Sequence, residues 1–256
     1  MCVLELKNIS VGYGTKTILQ DVTMEFKSGQ IYAVLGKNGC GKSTLLKACA
    51  DMLPRKQGEL LLHGKPLNVY LPKERAKEVS YLSQHRNTPS ITVERLLIHG
   101  RHPHMSHGKQ MGKEDWCVLE QVMEMMEIGG FRQELLSELS GGERQRVYLA
   151  MVLAQDTPVL LLDEPTTYMD ISYQLQFLEL LETLKKQGKT IVLVLHDLPQ
   201  ALQVADWVVL LDQGQVAVQG TPKGVLASGK IQECFGVSMV TGTTQDGEIV
   251  ITMKRE

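Results

Sequence analysis

Nine residues, "GKNGCGKST" from Gly36 to Thr44, set three glycines, Lys42 and two hydroxyls directly behind the apolar run "IYAVL". The spacing G-x-x-x-x-G-K-[ST] is met by Gly36, Gly41, Lys42 and Ser43. Glycines allow backbone N–H groups to turn inward around phosphate oxygens with no side chain in the way. A helix starting near Lys42 adds unpaired N–H groups and the positive end of its dipole. Lys42 can reach β- and γ-phosphates, and the Ser43 hydroxyl can ligate Mg²⁺. A buried-type strand precedes the stretch. A helical pattern (Leu45, Leu46, Ala48, Cys49, Met52) follows and stops at Pro54. Residues 36–44, including Lys37, Asn38, Gly39, Cys40 and Thr44, therefore read as a phosphate cradle rather than a plain turn.

Further along, "VLLLDEP" places Asp163 and Glu164 at the end of an apolar strand, where open α/β sheets carry their sites. Asp163 is suited to hold Mg²⁺, and Glu164 to polarise an attacking water as general base. "IVLVLHD" ends a second such strand with His196, placed to reach a γ-phosphate; a single strand-end histidine is as readily structural. In "LSGGERQ", Ser140 and Glu143 make an S-x-x-E capping box. Gly141 and Gly142 in the first turn cost helix stability, and a cap alone does not require them. They make sense where a phosphate approaches the helix N-terminus. One chain holds only one cradle, so this second anion site reads as serving another subunit's nucleotide.

The elements that must position these groups follow from the pattern. Residues 2–27 alternate apolar and polar, as half-buried antiparallel strands do, and "GELLLHGKPL" reads as another hairpin. From about residue 90 to 155 the pattern is helical, and Met123, Met125 and Met126 read as core filling. After residue 158, strands and helices alternate, with helices expected at 172–187 and 198–205. That βαβ rhythm implies a parallel sheet covered by helices. The tail "MVTGTTQDGEIVITM" reads as a hairpin turning at Asp246-Gly247.

With 256 residues, 43% hydrophobic and 22% charged, the chain is long enough for one large core. A net charge of −2 gives no global attraction to nucleic acid or anionic membranes. Five scattered cysteines with no C-x-x-C pair point to reduced thiols rather than a disulfide frame or a zinc site. "MCVLELKNIS" shows no signal-peptide pattern, and no apolar run approaches the ~18 residues that span a bilayer. Any membrane role is expected to come through a partner.

The cradle, Gln84, "LSGGERQ", "VLLLDEP" and "VLVLHD" occur in the order and context of the ABC-type ATP-binding cassettes, which the chain resembles over nearly its whole length. The resemblance implies one domain over residues 2–256: an α/β P-loop NTPase core, an antiparallel β subdomain, an inserted helical subdomain at about 86–158 and a short β tail at about 237–256. It implies ATP and Mg²⁺ as ligands and ATP hydrolysis as the activity. Tyr13 in "VGYG" matches the aromatic that stacks on adenine; Lys42, Ser43 and Thr44 match the phosphate and Mg²⁺ positions. Gln84 matches the glutamine that senses Mg²⁺, the attacking water and the membrane partner, Glu164 the base, and His196 the switch histidine. Ser140, Gly141 and Gly142 match the signature that meets the γ-phosphate in the opposite protomer, and Asp170 the D-loop aspartate. The chain departs from common patterns at Thr167-Tyr168-Met169 in the D-loop and at Lys37, where proline is common.

"ITVERLLIHGRHPHM", "AQDTPVLLLDEPTTYMDI" and "ECFGV" resemble cassettes of importers for iron–siderophore complexes, haem or cobalamin. This implies a head-to-tail homodimer on the cytoplasmic face of the cell membrane, bound to integral-membrane permease subunits and indirectly to a substrate-binding protein. No nucleic-acid partner is implied. A soluble cassette regulating an assembly such as iron–sulfur cluster biogenesis is the alternative. Residues 86–135, with Arg101 among them, are the expected permease contact. Four of the seven histidines (His99, His102, His104, His107) cluster there, but without acidic or cysteine ligands or zinc spacing. They read as a solvated loop.

Overall fold

A computed structural model describes residues 1–84, 86–105, 110–243 and 249–255. Three strands open the architecture. β1 (Cys2–Tyr13) and β2 (Lys16–Lys27) form an antiparallel pair, and β3 (Ile31–Leu35) is buried along its whole length. After the glycine-rich loop come α1 (Lys42–Cys49), β4 (Arg55–Leu62) and β5 (Lys65–Pro66). Strands β2, β1, β4 and β5 make one antiparallel sheet in that order. Helix α1 ends at Cys49, earlier than Pro54 requires, because Ala50 caps it and Asp51 turns into the left-handed region at φ 54°.

Helix α2 (Pro72–Glu78) leads into β6 (Val79–Leu82). Between β6 and the next strand lie α3 (Val93–Arg101), α4 (Lys113–Met125) and α5 (Gly141–Ala154). These three pack closely: a Cβ on Gly100 would stand 2.4 Å from the Met151 carbonyl oxygen. Met123 and Met126 are buried as expected, whereas Met125 is 43% exposed. The helical phase turns it outward.

β7 (Val159–Asp163), α6 (Ile171–Lys186), β8 (Thr190–Val194), α7 (Leu198–Val204) and β9 (Trp207–Asp212) complete the alternating part. β10 (Gln215–Gly220) returns antiparallel to β9, giving a six-stranded sheet in the order β10-β9-β3-β8-β7-β6. Its inner strands are apolar on both faces because both faces are covered. Ile31, Ala33 and Leu35 point to a core shared with the inserted helices, α6 and α7. Tyr32 and Val34 point to a second core with α1 and the antiparallel sheet. Two short helices, α8 (Pro222–Ala227) and α9 (Lys230–Phe235), precede the pair β11 (Val237–Thr243) and β12 (Ile249–Arg255). The two strands are antiparallel, with Thr243 opposite Ile249. The expected turn at Asp246-Gly247 lies outside the described residues. Among the described residues no helix is long and apolar enough to cross a membrane.

Candidate active site

Strands β3, β8, β7 and β6 are parallel neighbours, so their C-terminal ends lie side by side. The glycine-rich loop leaves β3, His196 follows β8, Asp163 and Glu164 end β7, and Gln84 follows β6. Register sets the finer detail. Asp163 pairs with Val194, and the Glu164 N–H donates to the Val194 carbonyl at 3.2 Å, which puts Glu164 beside the chain that carries His196. A cleft of about 380 Å³ opens at this point, lined by Tyr13, Ile18, Asn38, Gly39, Gly41, Lys42, Ser43, Thr44, Gln84, Glu164 and His196. Residues 13 to 196 of the chain thus converge on one space.

The loop itself is built around backbone. Gly36 sits at φ 148°, and a Cβ there would come within 2.4 Å of the Leu211 carbonyl oxygen. Only glycine fits. Lys42 donates from Nζ to the carbonyl oxygens of Gly36 (2.7 Å) and Lys37 (3.1 Å), folding its ammonium back across the loop. Gly41, the residue before α1, offers no side-chain cap, so the first-turn N–H groups remain available to an anion. Lys37 and Cys40 contribute through the main chain, with the Cys40 N–H donating to the Lys37 carbonyl at 3.2 Å; the Cys40 side chain is buried. Burial pushes the Cys40 thiol above its ordinary range, against the pull of Lys42. Tyr13 stands half exposed at the end of β1, its hydroxyl accepting from Lys47 Nζ at 3.4 Å.

Asp163 is only 1% exposed. Burial pushes its carboxyl above the usual range, the Ser43 hydroxyl bonded to it pulls it back, and the adjacent Glu164 charge pushes it up again. The Tyr81 hydroxyl donates to Oδ2 at 3.3 Å. Oδ1 is buried with no hydrogen-bond partner among the described residues. A buried, unsatisfied carboxylate oxygen next to a serine hydroxyl is the donor set that a small hard cation takes. Glu164, also buried, occupies the left-handed region at φ 53°, and its Oε2 lies 2.6 Å from Nε2 of the exposed His196.

The second expected anion site is separate. Ser140 caps α5, its hydroxyl accepting from the Glu143 N–H at 3.3 Å while Glu143 accepts from the Ser140 N–H at 2.8 Å. Gly141 and Gly142 pack against Tyr168, and a Cβ on Gly142 would stand 3.1 Å from the Tyr168 carbonyl oxygen. Close approach of the Tyr168 loop is therefore an intrachain reason for glycine here, beside phosphate access. Asp170 caps α6 by accepting from the Tyr173 N–H at 2.9 Å. None of Ser140, Gly141, Gly142 and Asp170 lines the phosphate cleft of their own chain.

Two expectations are corrected. Arg101 is no surface residue: it is 6% exposed, ion-paired with Asp115 at 2.9 Å and bonded to the Ala154 carbonyl at 2.9 Å, tying together α3, α4 and α5. The histidine cluster is solvated in part, with His99 and His102 exposed, but it is not one loop, because His99 lies within α3 and His104 is half-buried. His99 ends α3 against His102, ring centroids 4.7 Å apart, while His104 bonds the Gln155 carbonyl at 2.8 Å. His107 lies outside the described residues, and among those described no group of three metal-ligating side chains occurs.

A profile of the ABC transporter family matches residues 19–167. The chain belongs to the ABC transporter family. The cassette is 39% identical over 233 residues to the ferric enterobactin transport ATP-binding protein FepC of Escherichia coli (strain K12), covering 90% of this chain and 86% of that one. It is 37% identical over 236 residues to the iron(3+)-hydroxamate import ATP-binding protein FhuC of Bacillus subtilis (strain 168), covering 91% and 88%. Among solved structures, the dimeric structure of a bacterial ABC transporter cassette superposes with a TM-score of 0.76 at 26% identity, covering 86% of this chain and 98% of that one. The cassette is an ATP-binding ATPase, and the cleft holding Lys42 and Glu164 is its candidate nucleotide site.

Proposed function

We propose that the cassette hydrolyses ATP to energise uptake of an iron chelate, haem or cobalamin through a separate permease. The juxtaposition that carries this reading is Glu164 in one cleft with Lys42, its carboxylate held by His196 at 2.6 Å. ATP enters with adenine on Tyr13 and its phosphates in the loop from Gly36 to Thr44. Lys42 then exchanges the carbonyls of Gly36 and Lys37 for phosphate oxygens. Glu164 orients water and takes its proton, while His196 holds that carboxylate and meets the γ-phosphate.

Mg²⁺ fits the orphaned Asp163 Oδ1, with Ser43 and Gln84 as the other holders; when bound, it neutralises phosphate charge. The signature residues Ser140, Gly141 and Gly142, together with Asp170, stand apart from this cleft. They act on the nucleotide of a second, head-to-tail copy, as two-fold symmetry requires to complete each site.

The cassette works at the cytoplasmic face of the membrane through the permease, and indirectly with a substrate-binding protein. The cargo class rests on relatives whose names concern ferric enterobactin and iron(3+)-hydroxamate transport. Those transport names favour import over regulation of a soluble assembly. The test is uptake of radiolabelled ferric siderophore, haem and cobalamin by cells with and without the chain. Loss of one uptake on deletion supports the reading, and retention of all three refutes it.

A further inference from the structure

The nucleotide loop rests on two thiols that lie far apart in the sequence. Cys40 belongs to the loop itself and Cys234 to α9, and each is only 8% exposed. Sγ of Cys40 lies 2.5 Å from the point that a Cβ on Gly36 would take. The Cys234 sulfur accepts from the N–H of the next residue, Lys37. The two sulfurs therefore flank one peptide unit, Gly36–Lys37, and neither cysteine lines the cleft. Cys234 also shares a core with Leu35 and Leu210, near the C-terminal ends of β3 and β9.

A buried thiol can serve as a small apolar filler. Here two of them meet on the segment that holds Lys42. Lys42 donates to the Gly36 and Lys37 carbonyls, and the Cys40 N–H donates to the Lys37 carbonyl. Burial pushes both thiols above their ordinary range, and Lys42 pulls both back. With α9 in place the pair is protonated and shielded. Helix α9 is the part that can open, being six residues between two left-handed glycines, Gly229 at φ 71° and Gly236 at φ 69°. Local opening of so short a segment costs far less than global unfolding.

We propose that Cys40 and Cys234 form a modification site, which a low-molecular-weight disulfide such as oxidised glutathione converts into a protein disulfide that disables the empty loop. The proposal rests on the reading of this loop as the nucleotide site. When α9 swings out, Cys234 gives its proton to solvent, and its thiolate attacks one sulfur of the reagent. The reagent's S–S bond breaks, and the first glutathione thiolate leaves and takes up a proton. As α9 returns, the Cys40 thiol loses its proton and attacks the Cys234 sulfur, and the second glutathione leaves in the same way. Two protein thiols have given up two electrons, and one reagent disulfide has become two thiols.

An S–S bond of about 2.0 Å draws Cys40 toward α9. The arch from Gly36 to Cys40 cannot absorb that shift in place, because the Leu211 carbonyl oxygen stands 2.4 Å from the same Cβ point on Gly36. Its N–H groups then no longer converge on a phosphate. Bound nucleotide holds the arch from the cleft side, so the empty loop is the form that is modified.

The experiment uses the full chain carrying Cys117→Ser, which removes the exposed thiol. Oxidised glutathione is applied without nucleotide, and ATP affinity is measured before treatment, after it, and after a reducing agent. Binding is lost on treatment and restored by reduction, and peptide mapping finds Cys40 joined to Cys234. Modification is slower with Mg-ATP present and faster at higher pH, because the thiolate is the attacking form. Adding Cys40→Ser leaves glutathione held on Cys234. Adding Cys234→Ser leaves Cys40 free, with ATP affinity the same before and after treatment. Cys234→Ala repeats that comparison without a hydroxyl in the core.

Loss of binding on treatment in both Cys234 variants overturns the proposal, since Cys40 would then be modified alone. A treated parent in which Cys40 and Cys234 stay unlinked overturns it too, as does a linked chain that binds ATP at parental affinity. Failure of the untreated chain to bind ATP would instead fall on the nucleotide-site reading.

Discussion

Nε2 of His196 stands 2.6 Å from Oε2 of Glu164, with the histidine exposed and the carboxylate buried. The two residues end neighbouring parallel strands, so the contact is a consequence of the β7–β8 register rather than of chain proximity. It fixes one oxygen of the candidate base, whose residue lines the same cleft as Lys42.

Replacing that base tests its role. Glu164→Gln is expected to lower ATP turnover by about 10²–10⁴-fold, the usual share of general base catalysis. Nucleotide binding survives, since Lys42, Ser43 and Asp163 remain. Single-turnover hydrolysis alongside a binding titration separates the two effects, and turnover at the parental rate would remove Glu164 from the role.

Tyr13, half exposed at the mouth of the cleft, has little packing to lose. Tyr13→Ala is therefore expected to leave thermal stability nearly unchanged and to weaken ATP binding by about 1–3 kcal/mol, the range for a base stacked on an aromatic. Isothermal titration that finds equal affinity would return Tyr13 to an ordinary strand-end residue.

Asp163 gives a pH signature. Its carboxyl is pushed up by burial, so its charged form costs stability at neutral pH. The folded state binds the proton more tightly than the unfolded one. Stability from this group is thus full below the unfolded value and lost as pH rises through the raised folded value. Asp163→Asn should melt higher than the parent without ligand at pH 8, and the gain should shrink as pH falls. The same variant should lose the added stabilisation that Mg²⁺ gives to nucleotide. Melting curves across pH decide the matter; a variant that melts lower at pH 8 contradicts it.

Arg101 tests the helical layer. Removing one partner of a buried ion pair costs about 3–5 kcal/mol, so Arg101→Ala should unfold at markedly lower denaturant. Burial raises the Asp115 carboxyl, but the Gly112 N–H and Arg101 outweigh it and hold the group below its usual range. That stability is present above the unfolded carboxylate value and is lost as pH falls through the depressed folded value. Arg101→Ala should accordingly flatten the acid limb of the stability curve. An unchanged midpoint would show that the pair is dispensable.

Much of the site is legible in the sequence because its chemistry is local. The glycine spacing, the apolar strands ending in Asp163-Glu164 and His196, and the Ser140 cap each lie within a few residues. What is not local is not legible. Tyr81 reaches Asp163 only through the parallel register of β6 and β7, which "VSYL" does not encode. Gln145 reads as the last letter of a motif, whereas its bonds run to Arg86 and Pro165, 59 and 20 residues away. Helix α2 has no buried residue, so "PKERAKE" offers no apolar stripe to detect. Arg101 reads as exposed because arginine usually is; Asp115, 14 residues on, makes its burial tolerable.

The central claim is that ATP joins two copies, Lys42 of one opposite Ser140 of the other, and that hydrolysis parts them. Sedimentation velocity of the Glu164→Gln chain with Mg-ATP and with Mg-ADP tests it most directly. The account predicts a dimer in ATP and a monomer in ADP. The same sedimentation coefficient in both nucleotides would contradict it.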